Sequence, residues 1–296
     1  MVTVTRERFT LRLPARVARR AGADRWGLRI GVLLLATLLA VAVIVPIVSP
    51  YAPDALGAAP LSAPSAAHLL GTDAFGRDVL TRLATAMRLD YVLAVIGVGF
   101  ALIVGTTLGV LVGSAKHRIW GNLLMRLTDA LIAIPFVLLV LLIVLSVGPE
   151  WRPFGVPEGV PGVMVAILIT GWSIYARLGR TQAAALADRD FVVGARLMGY
   201  SRARIVLKHI LPNAFQASFT YAMTDAVMTI ALIGGLAFIG AGITEPTPEL
   251  GAMMYGGRPV LAQAPWITAF PALVLVLTAV GVTLSTSGLI ARRESR

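Results

Sequence analysis

The sequence predicts an all-α membrane protein built on six transmembrane helices. Three observations predict it. The 296 residues are 57% hydrophobic and 14% charged, with a mean hydropathy of +0.82, whereas a soluble domain carries about 25% charged residues. Several apolar runs reach the ~20 residues that a helix needs to cross a bilayer. The basic residues concentrate in every second connecting segment, the pattern of cytoplasmic loops.

In chain order the spans read as Ile30–Val48, Tyr91–Gly113, Thr128–Val147, Val163–Ala176, Ala214–Gly240 and Trp266–Leu289. The fourth is the shortest and is interrupted by Gly171, Trp172 and Ser173. Residues 1–29 form a basic segment ahead of the permeating domain at 30–290, and 291–296 are a short tail. The basic run at 1–29 is longer than a signal n-region and is expected to stay attached. The segment at 49–90 is too long for a simple turn. Its first part is rich in Pro and Ala. Its second part places Phe75, Val79, Leu80, Leu83, Ala84 and Met87 at helical spacing among Arg77, Asp78, Arg82 and Arg88, which predicts an amphipathic helix on the outer membrane interface.

The charge count sets the orientation. Residues 1–29 carry +6, 114–127 carry +3, 177–213 carry +5 and the tail +2, while 49–90, 148–162 and 241–265 each carry −1. Six spans with both termini in the cytoplasm follow from the positive-inside rule. The net charge of +11 is thereby topogenic, and no nucleic-acid partner is expected. The chain has no cysteine, which excludes disulfides and thiolate metal sites. His68, His117 and His209 lie too far apart in sequence to suggest a metal site. No Gly-x-x-x-x-Gly-Lys-Ser/Thr phosphate loop is present, nor a nucleophile–base arrangement, so no enzymatic activity, cofactor or ATP hydrolysis is expected of this chain.

The most informative stretch is residues 190–213. It is polar and basic between two apolar segments, has helical periodicity, and breaks at Gly199 and again at Leu211-Pro212. It reads as a short helix, a turn, and a second helix returning to the membrane. A short amphipathic helix of this kind can lie in the groove of a partner. Gly199 lets the chain turn sharply, and Pro212 removes a backbone donor.

Four motifs make the chain resemble the inner-membrane permease subunits of binding-protein-dependent ABC importers, in the oligopeptide/dipeptide/nickel branch. Val193-Gly194-Ala195, then Gly199, His209, Leu211 and Pro212 keep the spacing of that family's Glu-Ala-Ala…Gly…His-x-Leu-Pro loop. His68-Leu-Leu-Gly71-Thr72-Asp73-Ala-Phe-Gly76-Arg77-Asp78 is similar to its His-Pro-Leu-Gly-Thr-Asp…Gly-Arg-Asp outer signature. Arg126-Leu-Thr-Asp129 with Pro135 is similar to its third-span entry. Phe238-Ile-Gly-Ala-Gly, Pro246-Thr-Pro-Glu249-Leu-Gly251, Pro265-Trp266 and Phe270-Pro271 match its fifth-span end and following loop. The likeness covers about residues 30–290. Departures are Val193 and Gly194 for the first two loop residues, Leu69 for a Pro, Ile233 where an acidic residue is common, and a tail lacking the usual ending.

The resemblance implies the fold of a type I importer permease with a cytoplasmic coupling helix. It also implies a homologous second permease, two ATPase subunits holding ATP and Mg, an extracytoplasmic binding protein and a bacterial plasma membrane. It assigns ATPase coupling to Asp190, Val193, Gly194, Ala195, Arg196, Gly199, Ser201, His209, Leu211 and Pro212, with His209 bonding a backbone group. It assigns the outer signature to His68, Gly71, Thr72, Asp73, Gly76, Arg77 and Asp78, on a surface that receives the binding protein. Dipeptides or oligopeptides are the implied cargo, with nickel chelates, glutathione or small glycosides as alternatives within the branch. An ion-coupled secondary transporter is the alternative from another class, but it needs intramembrane ionisable groups and usually repeats. Only Asp129 and Asp225 fall in the spans. Asp129 is expected to pair with Arg126, three residues earlier on one face, and Asp225 to line the path or meet a polar neighbour. Arg177 and Arg180 read as membrane anchors. Gly105, Gly109 and Gly113 form a small-residue face for close helix packing.

Overall fold

The computed structural model describes residues 15–115 and 118–294. Lys116, His117, residues 1–14 of the basic segment and 295–296 of the tail lie outside them. The described residues are helix and loop, with one isolated antiparallel bridge between Thr72 and Asp78.

Among the described residues eleven α-helices follow one another: α1 (Ala15–Val48), α2 (Val79–Phe100), α3 (Thr106–Gly113), α4 (Arg118–Ala133), α5 (Phe136–Val147), α6 (Val160–Ala187), α7 (Asp190–Leu197), α8 (Arg202–Ile205), α9 (Leu211–Phe238), α10 (Leu250–Gly257) and α11 (Trp266–Glu294). A π-helical turn at Ala101–Gly105 joins α2 to α3 without a break, and another at Val206–Ile210 joins α8 to α9. Five helices are long and apolar enough to cross a membrane, and α4 with α5 make a sixth span if the bent pair counts as one. Their outward faces carry large apolar side chains in the open, among them Leu33, Ile47, Val95 and Leu142, as lipid contact demands and water does not tolerate.

Three corrections to the sequence reading have clear causes. The stripe at 73–90 forms no separate interfacial helix. Residues 73–78 are loop, and the helix that starts at Val79 continues to Gly113, about 52 Å at 1.5 Å per residue. Its apolar positions Val79, Leu83 and Met87 are buried against Leu38, Leu250, Met253, Ile267 and Val274 of α1, α10 and α11, so the amphipathic face meets protein rather than lipid. The third span is not one rod but turns through 93° between Ala133 and Phe136. Pro135 drives the preceding residue out of helical geometry and itself starts α5. The fourth helix is 28 residues long, not 14, because it does not end with the apolar run at Ala176 but continues through Arg177 and Arg180 to Ala187.

The small-residue face behaves as the spacing implied. A Cβ on Gly109 would fall 2.1 Å from the Ala176 carbonyl oxygen of α6, and one on Gly105 2.4 Å from the Trp172 oxygen. Gly179 of α6 returns the contact onto Thr106. The backbones of α3 and α6 therefore touch, with no side chain between them. A second core joins α2, α5, α6 and α9 through Leu93, Val140, Val163, Ile167, Ile233 and Leu236. Ile233, where the resemblance implied an acid would be common, is fully buried in it.

Candidate functional site

At the end of the bundle that carries the basic loops, α6 stops at Ala187 and the chain folds into a knob. Arg189 is extended at the N-cap of α7, Asp190 occupies the first turn and Arg196 the last, each on the side the helix dipole favours. Gly199 has φ +79°. Around it the Tyr200 amide donates to Ala195 O at 3.1 Å and the Gly199 amide to Arg196 O at 3.0 Å, a Schellman closure. No atom lies within 4 Å of a Cβ placed there, so the glycine is required by backbone conformation and not by space. Ser201 restarts the helix by accepting from the Arg204 amide at 3.3 Å. The sequence suggested a stop at Leu211-Pro212. Instead the π-helical turn just before it widens the helix, which accommodates the missing Pro212 donor and carries α8 straight into α9.

The knob has two faces. Val192 and Ala195 are buried with Val110, Ala183, Ile205, Val206, Ile210 and Ala214. Phe191, Val193, Leu197 and Met198 are exposed, Leu197 at 84% and Met198 at 67%, and Gly194 lies beside them with open space over its Cα. His209 makes no ring-to-backbone bond among the described residues; its ring lies 6.3 Å from that of Tyr200 and 6.4 Å from that of Phe191. The Arg202 guanidinium donates to the Ser114 carbonyl and ties the knob to the end of α3.

At the opposite end, the outer signature is a buried clasp. Asp78 caps α2 by accepting from the Thr81 amide at 2.8 Å and also holds His68 Nδ1 at 2.9 Å. Thr72 donates to Ala59 O and accepts from the Ser62 amide, while the Trp266 indole donates to Thr72 O at 3.1 Å. Gly71 (φ +78°) and Gly76 (φ +76°) turn the loop where a Cβ would strike Ser62 O or Ala58 O. Arg77 bonds Asp73 at 2.6 Å and Glu245 at 2.8 Å. Arg82, 1% exposed, bonds Asp54 and Glu245 at 2.8 Å each and the carbonyls of Pro53 and Pro246. His68, Gly71, Thr72, Asp73, Gly76, Arg77 and Asp78 are thus brought together, and all but His68 are buried. The sequence reading missed Arg82 and Glu245 as members. The available signal was the segment 49–90, rich in Ala and Pro in its first part, which nevertheless carries three arginines and four aspartates.

Between the two ends, Asp225 meets a polar neighbour, one of the two expectations for it. It accepts from the Tyr175 hydroxyl at 2.9 Å and lines a cavity of about 30 Å³ with Gly97, Val98, Phe136, Thr170 and Thr229, room for about one water. Asp129 pairs with Arg177 of α6 and not with Arg126, because α4 crosses α6 at that point. Replacing Tyr175 with Phe is expected to cost about 1–3 kcal/mol by leaving the Asp225 oxygen without its donor. Adding Asp225→Asn, which removes the charge, should recover most of the loss in thermal unfolding of the purified chain.

Residues 105–296 match the model of the "binding-protein-dependent transport system inner membrane component" family. Relatives include a dipeptide transport permease of Alkalihalophilus pseudofirmus, 32% identical over 88% of this chain and 83% of its own. A di/tripeptide transport permease of Pseudomonas aeruginosa is 33% identical over 88% and 84%. A glutathione transport permease of Pectobacterium atrosepticum is 32% identical over 76% and 72%. With a multi-pass helical body and the match to this model over most of its length, the chain belongs to the inner-membrane permeases of binding-protein-dependent transport systems.

Proposed function

We propose that this permease carries dipeptides or oligopeptides inward as half of a heterodimer with a homologous permease, driven by two ATPase subunits that hold ATP and Mg. The observation that carries the reading is the two-faced knob. Val192 and Ala195 anchor α7 to the bundle while Phe191, Leu197 and Met198 stand in the open, an arrangement that fits a partner's groove. Both termini then lie in the cytoplasm, with the clasp end toward an extracytoplasmic binding protein. The peptide cargo rests on the names of the relatives, which are permeases for dipeptides, di/tripeptides and D,D-dipeptides.

In this mechanism ATP binding draws the two ATPase subunits together and moves each knob with them. Because Val110, Ala183 and Ala214 pack on the knob's inner face, the motion passes directly to α3, α6 and α9, and α6 and α9 carry the Tyr175–Asp225 pair. Hydrolysis resets the bundle. The test is peptide uptake and ATPase co-purification in proteoliposomes. Leu197→Glu should abolish both while leaving membrane insertion and thermal midpoint unchanged, since Leu197 is 84% exposed. Gly199→Asp should also abolish both, and should lower the thermal midpoint by opposing the positive φ that closes α7. Uptake that persists without any ATPase would overturn the reading in favour of an ion-coupled carrier using Asp225.

A further inference from the structure

One pair of carboxyl groups has no part in the clasp or the knob. Asp90 lies in the outer half of α2 and Glu249 at the N-cap of α10, and both are 0% exposed. Glu249 accepts from the Gly251 amide at 2.9 Å and the Ala252 amide at 2.6 Å. Asp90 Oδ2 accepts from the Leu250 amide at 3.3 Å. Asp90 Oδ1, fully buried, has no donor among the described groups, and because Asp90 holds the amide of Leu250, the residue next to Glu249, the two buried carboxyls are neighbours.

Neither group has a cation partner among the described residues. The groups around them are Gly234 of α9, against Glu249, and Tyr91, whose hydroxyl is engaged by Thr278 of α11 at 2.7 Å. Arg88 is on the exposed side of α2. Arg82 lies eight residues away, about 12 Å along the helix, and is taken up by Asp54 and Glu245. Two adjacent ionised carboxylates in a dry site repel strongly and cannot hydrogen-bond each other. Two carboxyls also offer a metal ion too few ligands, and no third His, Asp or Glu joins them among the described residues.

We propose that Asp90 and Glu249 bind one proton between them, and that this proton is the latch seating α10 on α2 and α9. One carboxyl donates to the other, which satisfies Asp90 Oδ1 and leaves a single negative charge facing the first amides of α10, where the helix dipole favours it. Burial pushes the Glu249 carboxyl up, against the backbone donors that pull it down. The sign follows. Above the ordinary carboxylate range the unfolded chain releases both protons while the folded chain keeps one. Stability is therefore fully present at lower pH and falls as pH rises, by up to tenfold in the folding equilibrium per pH unit.

Infrared spectroscopy of the full-length chain in nanodiscs at neutral pH tests this. The wild type should show the carbonyl stretch of an un-ionised carboxylic acid. Asp90→Asn, whose amide donates in place of the proton, should lose that band, and Asp225→Asn, which alters a half-buried carboxyl elsewhere in the bundle, should keep it. The thermal midpoint of the wild type should fall between about pH 6 and pH 9, beyond any shift in Asp90→Asn. Should Asp90→Asn fail to fold, Glu249→Gln removes the same proton and serves both measurements. A wild type without the band, or neutralised variants with the same pH slope as the wild type, would overturn the proposal.

Discussion

Gly109→Val is expected to destabilise the bundle by roughly 3 kcal/mol or more, among the largest effects of any single substitution here. The ideal Cβ would sit 2.1 Å from a backbone oxygen of α6. A backbone oxygen cannot rotate away as a side chain can, so α3 and α6 must separate along their length, exposing packing that replaces the hydrophobic effect inside a bilayer. A graded series checks the mechanism. Gly113→Ala, where the nearest atoms are at 3.0 Å, should cost less than Gly109→Ala. Gly99→Ala, with nothing within 4 Å, should be neutral or slightly stabilising through helix propensity. The readout is thermal unfolding in detergent, and equal effects at all three sites would refute close packing as the cause.

Arg82→Ala should be of the same order, about 3 kcal/mol, because removing one partner from a buried ion network leaves the others uncompensated. The figure sits at the low end of that range because Asp54 and Glu245 are partly exposed and screened by solvent. Arg82→Lys should recover little, since one ammonium cannot reach two carboxylates and two carbonyls in the geometry of a planar fork. Arg88→Ala, on the open side of the same helix, should change the midpoint negligibly. Protease cleavage in the 49–78 loop should rise in step with the loss, and a wild-type cleavage pattern in Arg82→Ala would show that Arg82 does not hold that loop.

Sequence periodicity and charge were sufficient for the class of fold, the long spans and the close-packing face at Gly105, Gly109 and Gly113, though not for its partner α6, because each depends on local spacing: glycines every fourth residue, or arginines confined to alternate segments. What escaped was long-range. The stripe at Val79–Met87 reads the same whether lipid or protein covers it, and only the arrival of α10 and α11 decides. Pro135 was visible, but a proline inside a span can kink or break it, and packing selects the outcome. Asp129 has Arg126 at helical spacing and Arg177 across the bundle; spacing cannot express the second. The motif at His68–Asp78 was legible as a unit, yet Glu245, which ties Arg77 to Arg82, lies 163 residues from Arg82. The knob was the most readable feature, since Ser201, Gly199 and Asp190 each act on their immediate neighbours.

That separation also has a history in time. A ribosome adding 5–20 residues per second reaches Glu245 roughly 8–30 seconds after it has passed Arg82. For that interval Arg82 stands in the first turn of α2 without the carboxylate that later joins it to Arg77. The newborn chain must therefore keep this end wet, or borrow another anion, until its fifth span is in place. The clasp is the last knot tied, and a chain truncated before residue 245 would carry an open outer end however well its first four spans had inserted.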